Sequence, residues 1–303
     1  MRYNLDSKLA SRRRPFLSRR GQALVEFAIV SFVLYFLFAG ILTFGHLLYC
    51  AQSLQPAADV AASELARVPL PATASFYDAL YSPDPAYSQV RSQVFDSQYL
   101  RRNLNSIPAG ETLADWVKTW PIVNQMLVPL MIVDTDDVGD QFLWYPGAVQ
   151  GTDSSGRSVS CIALVTGRQA SGAENIEWAP VIEQAEQPDA TTGFDAFNVQ
   201  SSYRGLVALK INYPYQSATM SAYPAQTTWP PQPNGPAIQA QDGSVTVVSN
   251  PIGFTPSSGD GGSLDPTYSG PYGLGGQQAW LTTVRPFRRT ISAQAVARRE
   301  VFQ

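Results

Sequence analysis

The chain has 303 residues, a formal net charge of −3, 45% hydrophobic and 15% charged residues, one histidine and two cysteines. That inventory excludes zinc sites built from clustered Cys and His, histidine-dependent nucleophilic catalysis in a polar pocket, and a disulfide-stapled scaffold. His46 lies inside an apolar run, and none of the three lysines, Lys8, Lys118 and Lys210, follows a glycine as a phosphate-binding loop requires.

Charge is distributed unevenly from the start of the chain. Residues 1–20 hold seven basic side chains against Asp6, a net +6, whereas the remainder holds 14 basic and 23 acidic residues, a net −9. A basic stub followed by an apolar run marks the cytoplasmic end of a membrane segment, because Lys and Arg resist translocation. A nucleic-acid arm would share the charge but not the apolar sequel, so no nucleic-acid partner is expected. From Phe27 to Leu48 the chain carries no formal charge over 22 residues. As a helix that run spans about 33 Å, matching a hydrocarbon core of about 30 Å. It predicts one transmembrane helix with the N-terminus in the cytoplasm and the rest exported. A buried core helix would show a polar stripe, and a cleavable secretory signal has an apolar region of only about 7–15 residues. Arg13-Arg14 is not followed by the short apolar region and small-residue cleavage site of a twin-arginine signal.

Glu26 breaks the apolar pattern at its start. A carboxylate there costs several kcal/mol unless it is paired or reaches the headgroups. Interaction with the helix N-terminus, worth about 0.3–1 kcal/mol, is one explanation. The surrounding residues supply another. The run RRGQALVEFAIV at 19–30, with LQPAADVAASELARV at 54–68, resembles the TadE-like family, pseudopilins or minor pilins of the tight-adherence, Flp-type pilus system.

The resemblance implies a membrane-embedded prepilin peptidase that cuts after Gly21, leaving Gln22 as the new N-terminus with Glu26 and Phe27 as mature residues five and six. It implies a non-catalytic, cofactor-free envelope protein of a bacterial inner membrane, with its exported domain in the periplasm or, after assembly, at the cell surface. Its partners would be the peptidase, other pilin subunits, the Tad secretion machinery and the lipid bilayer. The chemistry is coherent. Glycine before the scissile bond admits an extended backbone to a cleft without a clashing side chain. Cleavage removes the basic leader and creates an α-amino group of pKa near 8. Glu26 could pair with that amine on a neighbouring subunit, and because a lone charge in lipid is expensive, the pair would fix axial register.

Past the bilayer, Leu54, Ala58, Ala61, Leu65 and Val68 fall at intervals of 4, 3, 4 and 3, a seam for packing against a partner helix or the protein's own domain. Pro56 should bend the helix or interrupt its hydrogen bonds near residue 52, and Pro69 and Pro71 should end it. The expected organisation is a leader at 1–21, a membrane and amphipathic helix at 22–68, and an exported α+β domain at 69–303. Within that domain, helices are expected over Ser88–Ile107 and Thr112–Trp120. Alternation predicts strands at Val159–Val165 and Gly205–Tyr213, the latter ended by Pro214. Shorter strands are expected at Ile132–Val133, Phe142–Tyr145, Ile176–Ile182, Ser244–Ser249, Trp280–Val284 and Ile291–Ala297, the last equally readable as a helix. Helices early and strands late imply a largely antiparallel sheet. Residues 214–278, rich in Pro, Gly, Ser and Gln, read as exposed loops or a partly disordered insertion.

Asp134, Asp136, Asp137 and Asp140 crowd around Gly139, but Tyr145 stands where an EF-hand-like loop needs a bidentate Glu, so a solvated turn is expected. Asp153-Ser154-Ser155-Gly156-Arg157 falls short of a D-x-S-x-S metal signature because arginine occupies the last place. The glycines near 261 and 275 lack the flanking strand and helix of a dinucleotide site. Cys50 and Cys161 both fall on the oxidising side, where a disulfide would pin the domain to the helix; two buried free thiols are the alternative. Two rivals to the prepilin reading are an unprocessed, membrane-anchored binding or scaffold protein and a carboxylate-only hydrolase such as a glycosidase, for which no acidic pair stands out.

Overall fold

The computed structural model describes residues 19–135, 139–168, 174–185, 195–201, 203–216, 237–239, 245–257, 277–279, 282–284 and 288–300. Helix α1 (Arg19–Arg67) is continuous over 49 residues, about 74 Å. It passes through Pro56, whose missing N–H removes only the bond to the Gln52 carbonyl, and it ends before Pro69. The first half is bare. Leu24, Phe27, Val30, Val33, Leu37 and Ile41 are all exposed. The second half is core: Cys50, Leu54, Ala57, Ala58, Ala61, Ala62, Leu65 and Ala66 are buried. The seam expected from sequence therefore docks on the chain's own domain, where burying Leu54 and Leu65 contributes about 2 kcal/mol each.

After α1 come, among the described residues, three short α-helices: α2 (Phe76–Tyr81), α3 (Leu113–Val117) and α4 (Ile122–Leu127). Ser75 and Asp78 form a capping box on α2, and Thr112 caps α3 within the helix expected there. The helix expected over Ser88–Ile107 does not form. That stretch holds a π turn at Val90–Val94, 3₁₀ turns at Ser97–Leu100 and Leu104–Ser106, and a strand between them. The cause is local: the side chains of Asp84, Asp96 and Asn103 each accept from the backbone N–H two residues on, restarting the chain in a new turn each time.

Among the described residues the strands follow in three larger sheets and one small pair. β1 (Arg101–Asn103), β2 (Ile132–Thr135) and β3 (Gln141–Trp144) form an antiparallel sheet in the order β1-β3-β2. β4 (Val149–Thr152), β5 (Ser158–Arg168) and β6 (Glu174–Pro180) pair antiparallel within a six-stranded sheet. β7 (Ile182–Gln184) and β8 (Leu206–Gln216) belong to another sheet. β9 (Ala237–Gln239), β10 (Val245–Ser249) and β11 (Thr255–Pro256) complete the six-stranded one, with β10 parallel to β6. β12 (Gln277–Ala279) and β13 (Thr282–Val284) pair with each other, and β14 (Arg288–Arg298) joins β8 along eleven residues in the order β14-β8-β7.

The chain is thus α+β, a long apolar N-terminal helix followed by largely antiparallel sheets. Residues 291–297 are strand, and the expected strand at 176–182 is divided at Val181, whose N–H turns to the Ser160 carbonyl. Pro214 does not end β8. The Asn212 N–H points toward Val181, so position 214, two residues on, points the same way where β7 has ended, and no ladder bond is lost. β10 answers the strand expected at Ser244–Ser249, whereas β9 and β11 lie where loops were expected; within 217–276 all but 237–239 and 245–257 falls outside the described residues, Gly261 and Gly275 included, as do Trp280, Asp136, Asp137 and the leader to residue 18.

One geometric relationship organises the molecule. The Tyr215 hydroxyl donates to the Thr43 carbonyl (2.7 Å), Gln55 Nε2 donates to the Gln294 carbonyl (3.1 Å), and the Glu300 N–H donates to the Ala66 carbonyl (3.3 Å). Arg289 is the register partner of Tyr215, so β14 is pinned to α1 near both ends and in the middle. From 289 to 300 a strand rises about 36 Å, and from 43 to 66 a helix rises about 35 Å. Strand and helix therefore run side by side in the same direction.

Candidate functional site

The residues singled out for processing lie on the first turns of α1. Gly21 is its third residue and Gln22 its fourth. The first four N–H groups of a helix have no intrahelical acceptor. Drawing the Gly21–Gln22 peptide out as an extended chain therefore opens only the terminal turn, and glycine tolerates that change best. Gln22 and Glu26, four apart, share a helix face. Glu26 and Phe27 are exposed. Beyond them the helix offers an 18-residue window of mean hydropathy 2.4, of which only 6% is buried. Among the described residues it is the one helix long and apolar enough to cross a membrane. The arrangement can anchor the chain in a bilayer and places the Glu26 position one turn from Gln22.

Where the rod meets the domain, Cys50 Sγ lies 3.6 Å from His46 Nε2, and the His46 ring tilts against Tyr215 at 5.4 Å. Burial pushes the Cys50 thiol up to about 11, with the Tyr213 side chain lowering it in part. Cys161 is buried on β5, and desolvation holds its thiol well above the ordinary range. Both cysteines are free thiols in the structure.

A second polar centre joins elements far apart in sequence. Arg157 donates from Nε to Asp153 Oδ2 (2.7 Å) and from Nη1 to Asp78 Oδ1 (3.0 Å), and its guanidinium stands 5.7 Å from the Tyr77 ring centroid. Asp153 also accepts the backbone N–H groups of Ser155 and Arg157. The arginine noted at the last place of the D-x-S-x-S pattern thus supplies the positive charge itself. Beside it is a cleft of about 90 Å³ lined by Tyr77, Ser154, Val159, Pro180 and Ile252. Asp140 accepts from Asn103 and Asn105 side chains, and among the described residues no three His, Cys, Asp or Glu side chains converge. Sequence reasoning missed the Asp78–Arg157 link, although S-x-x-D at 75–78 was a visible capping box.

Comparison with known proteins bears on the first of these regions. The family model for TadE-like proteins matches residues 21–63, beginning at Gly21 and ending within α1. No curated protein and no solved structure matches the chain.

Proposed function

We propose, taking the TadE-like character of residues 21–63 as the premise, that this chain is a prepilin-like subunit of a Tad, Flp-type pilus apparatus. The observation that carries the reading is that the matched segment opens at Gly21 and coincides with a helix whose first half is bare and apolar. The chain inserts with residues 1–20 in the cytoplasm, and a prepilin peptidase cuts after Gly21. Removal of the net +6 leader leaves Gln22 with a cationic α-amino group. Glu26 of one subunit meets that amine on a neighbour, and the exported domain, non-catalytic, is carried at a fixed height by α1. Pairing an acid with a nearby cation in lipid is the least costly way to retain both.

Intact mass and N-terminal sequencing of the membrane-extracted protein test the reading. A mature chain beginning at Gln22 is the expected result, with Gly21→Leu left uncut and Glu26→Ala inserted but impaired in processing or assembly. A purified chain that keeps its arginine-rich leader overturns the proposal and leaves an unprocessed, membrane-anchored scaffold in its place.

A further inference from the structure

The uncharged run and the exported domain overlap along α1. If the run from Phe27 to Leu48 filled the hydrocarbon core, the exported boundary would fall at Leu48. The Tyr215 hydroxyl, however, reaches α1 at the Thr43 carbonyl, five residues or about 7.5 Å deeper. Tyr215 stands at the end of β8, where the sheet is open. The Val181 carbonyl takes the Asn212 N–H, and among the described strands none continues β7 along β8 beyond it. Pro214, on that side of the strand, is only partly buried. Open sheet edges do not occur in hydrocarbon, because each backbone group left without a partner there costs several kcal/mol. The hydrocarbon therefore has to stop at Thr43.

The surface of α1 changes at the same level. From Ala23 to Phe38 every residue is exposed, Ala39 is the first to be buried, and Thr43 and Leu47 are partly covered. His46 and Tyr49, rings with an apolar body and a polar tip, are exposed just past Thr43. Such rings favour the interface over the hydrocarbon. Headgroups add about 5–8 Å to each side of the core, which is the rise of residues 44–48. Phe44 and Leu48, apolar and exposed, then lie in the headgroup layer, although run length alone puts them in hydrocarbon.

We propose that the end of β8, seated on α1 at Thr43, is a depth stop: it holds the exported boundary of the hydrocarbon at Thr43, so that a core of about 30 Å takes up residues 23–42 instead of 27–48. The centre of the span moves from residues 37–38 to residues 32–33, and α1 stands about 7.5 Å further toward the exported side. Glu26 is thereby drawn about 4.5 Å inside the cytoplasmic boundary, where a carboxylate costs several kcal/mol unless it is paired. The seat of the exported domain, and not the composition of the helix, decides that Glu26 is held in lipid. The inference deepens the proposed role of Glu26; it rests on α1 spanning a bilayer and not on cleavage after Gly21.

Nitroxide labels at Val25→Cys, Ile29→Cys, Val33→Cys, Leu37→Cys, Leu42→Cys and Leu48→Cys, all exposed positions, test this when placed singly in the full chain reconstituted into dioleoylphosphatidylcholine vesicles. Depth is read from collision with oxygen against a water-soluble nickel chelate, and wild type treated with the same reagent checks that buried Cys50 and Cys161 take no label. The depth profile should peak at residue 33, with residues 29 and 37 equal on either side and residue 48 outside the hydrocarbon. A profile that peaks at residue 37, with residue 48 at the boundary and residue 25 in the headgroups, overturns the stop while leaving the span intact. In dierucoylphosphatidylcholine, whose acyl chains are longer, the added thickness should be taken up at the cytoplasmic end: the residue 25 label sinks and the residue 42 label keeps its depth. Equal sinking of the two labels also overturns the stop. Labels in water at every position overturn the spanning premise and the stop with it.

Discussion

Asn124 and Asp96 bond to each other's segments in both directions: the Asp96 N–H donates to Asn124 Oδ1 and Asn124 Nδ2 donates to the Asp96 carbonyl, each at 2.9 Å. Asn124 is fully buried on α4, and the two bonds close the break between Phe95 and the turn at Ser97–Leu100. Asn124→Ala should leave two backbone groups without partners and destabilise the protein by about 2–3 kcal/mol. Asn124→Asp keeps the acceptor but loses the donor and adds a charge beside Asp96, whose own carboxyl burial already pushes up, so it should be worse than Ala. Denaturant midpoints of the detergent-solubilised chain check the order; equal midpoints for wild type and Asn124→Ala would discard this account.

Asp78 gives the domain an acid-sensitive joint. Burial alone pushes its carboxyl up, but bonds from Ser75 and Arg157 outweigh that, and the carboxyl titrates below its ordinary value. A carboxyl depressed in the folded state contributes stability above its unfolded pKa of about 3.9. That contribution is lost as pH falls through the lower, folded value. The side chain is 40% exposed, so solvent screening limits the effect to about 1 kcal/mol or less. Unfolding free energy should drop less between pH 6 and pH 3 in Asp78→Asn than in wild type. Identical pH profiles would show that the Arg157 bridge does not couple to folding.

The two thiols should be inert in the folded protein. With Cys50 pushed up to about 11, its thiolate at pH 8 is on the order of one part in a thousand; burial also holds the Cys161 thiol well above the ordinary range and denies access to either sulfur. Ellman's reagent should react slowly with the native chain and release both thiols on denaturation. Recovery of neither thiol after denaturation without reductant would reveal a disulfide and contradict the free cysteines of the structure.

What was legible in the sequence was local. Charge asymmetry and an uncharged run long enough for a bilayer define the anchor, because a hydrocarbon core tests only length and polarity along one helix. Period-two alternation marked β5 and β8, and the 4-3-4-3 seam marked the face of α1 that is buried, because both patterns record which side of an element avoids water. The break-up of residues 88–107 was written in Asp84, Asp96 and Asn103, whose short polar side chains compete with helical bonding, but apolar spacing pointed the other way.

Partnership was left to the tertiary structure. Helical spacing fixes a buried face without saying what buries it, so only the packed domain decides that Leu54, Ala58, Ala61 and Leu65 meet this chain's own domain. The same holds for height: Tyr215 is separated from Thr43 by 172 residues. Their contact exists because eleven residues of β14 and a stretch of α1 advance by nearly equal distances through space. Residue order cannot encode that coincidence of lengths until both elements are folded against each other.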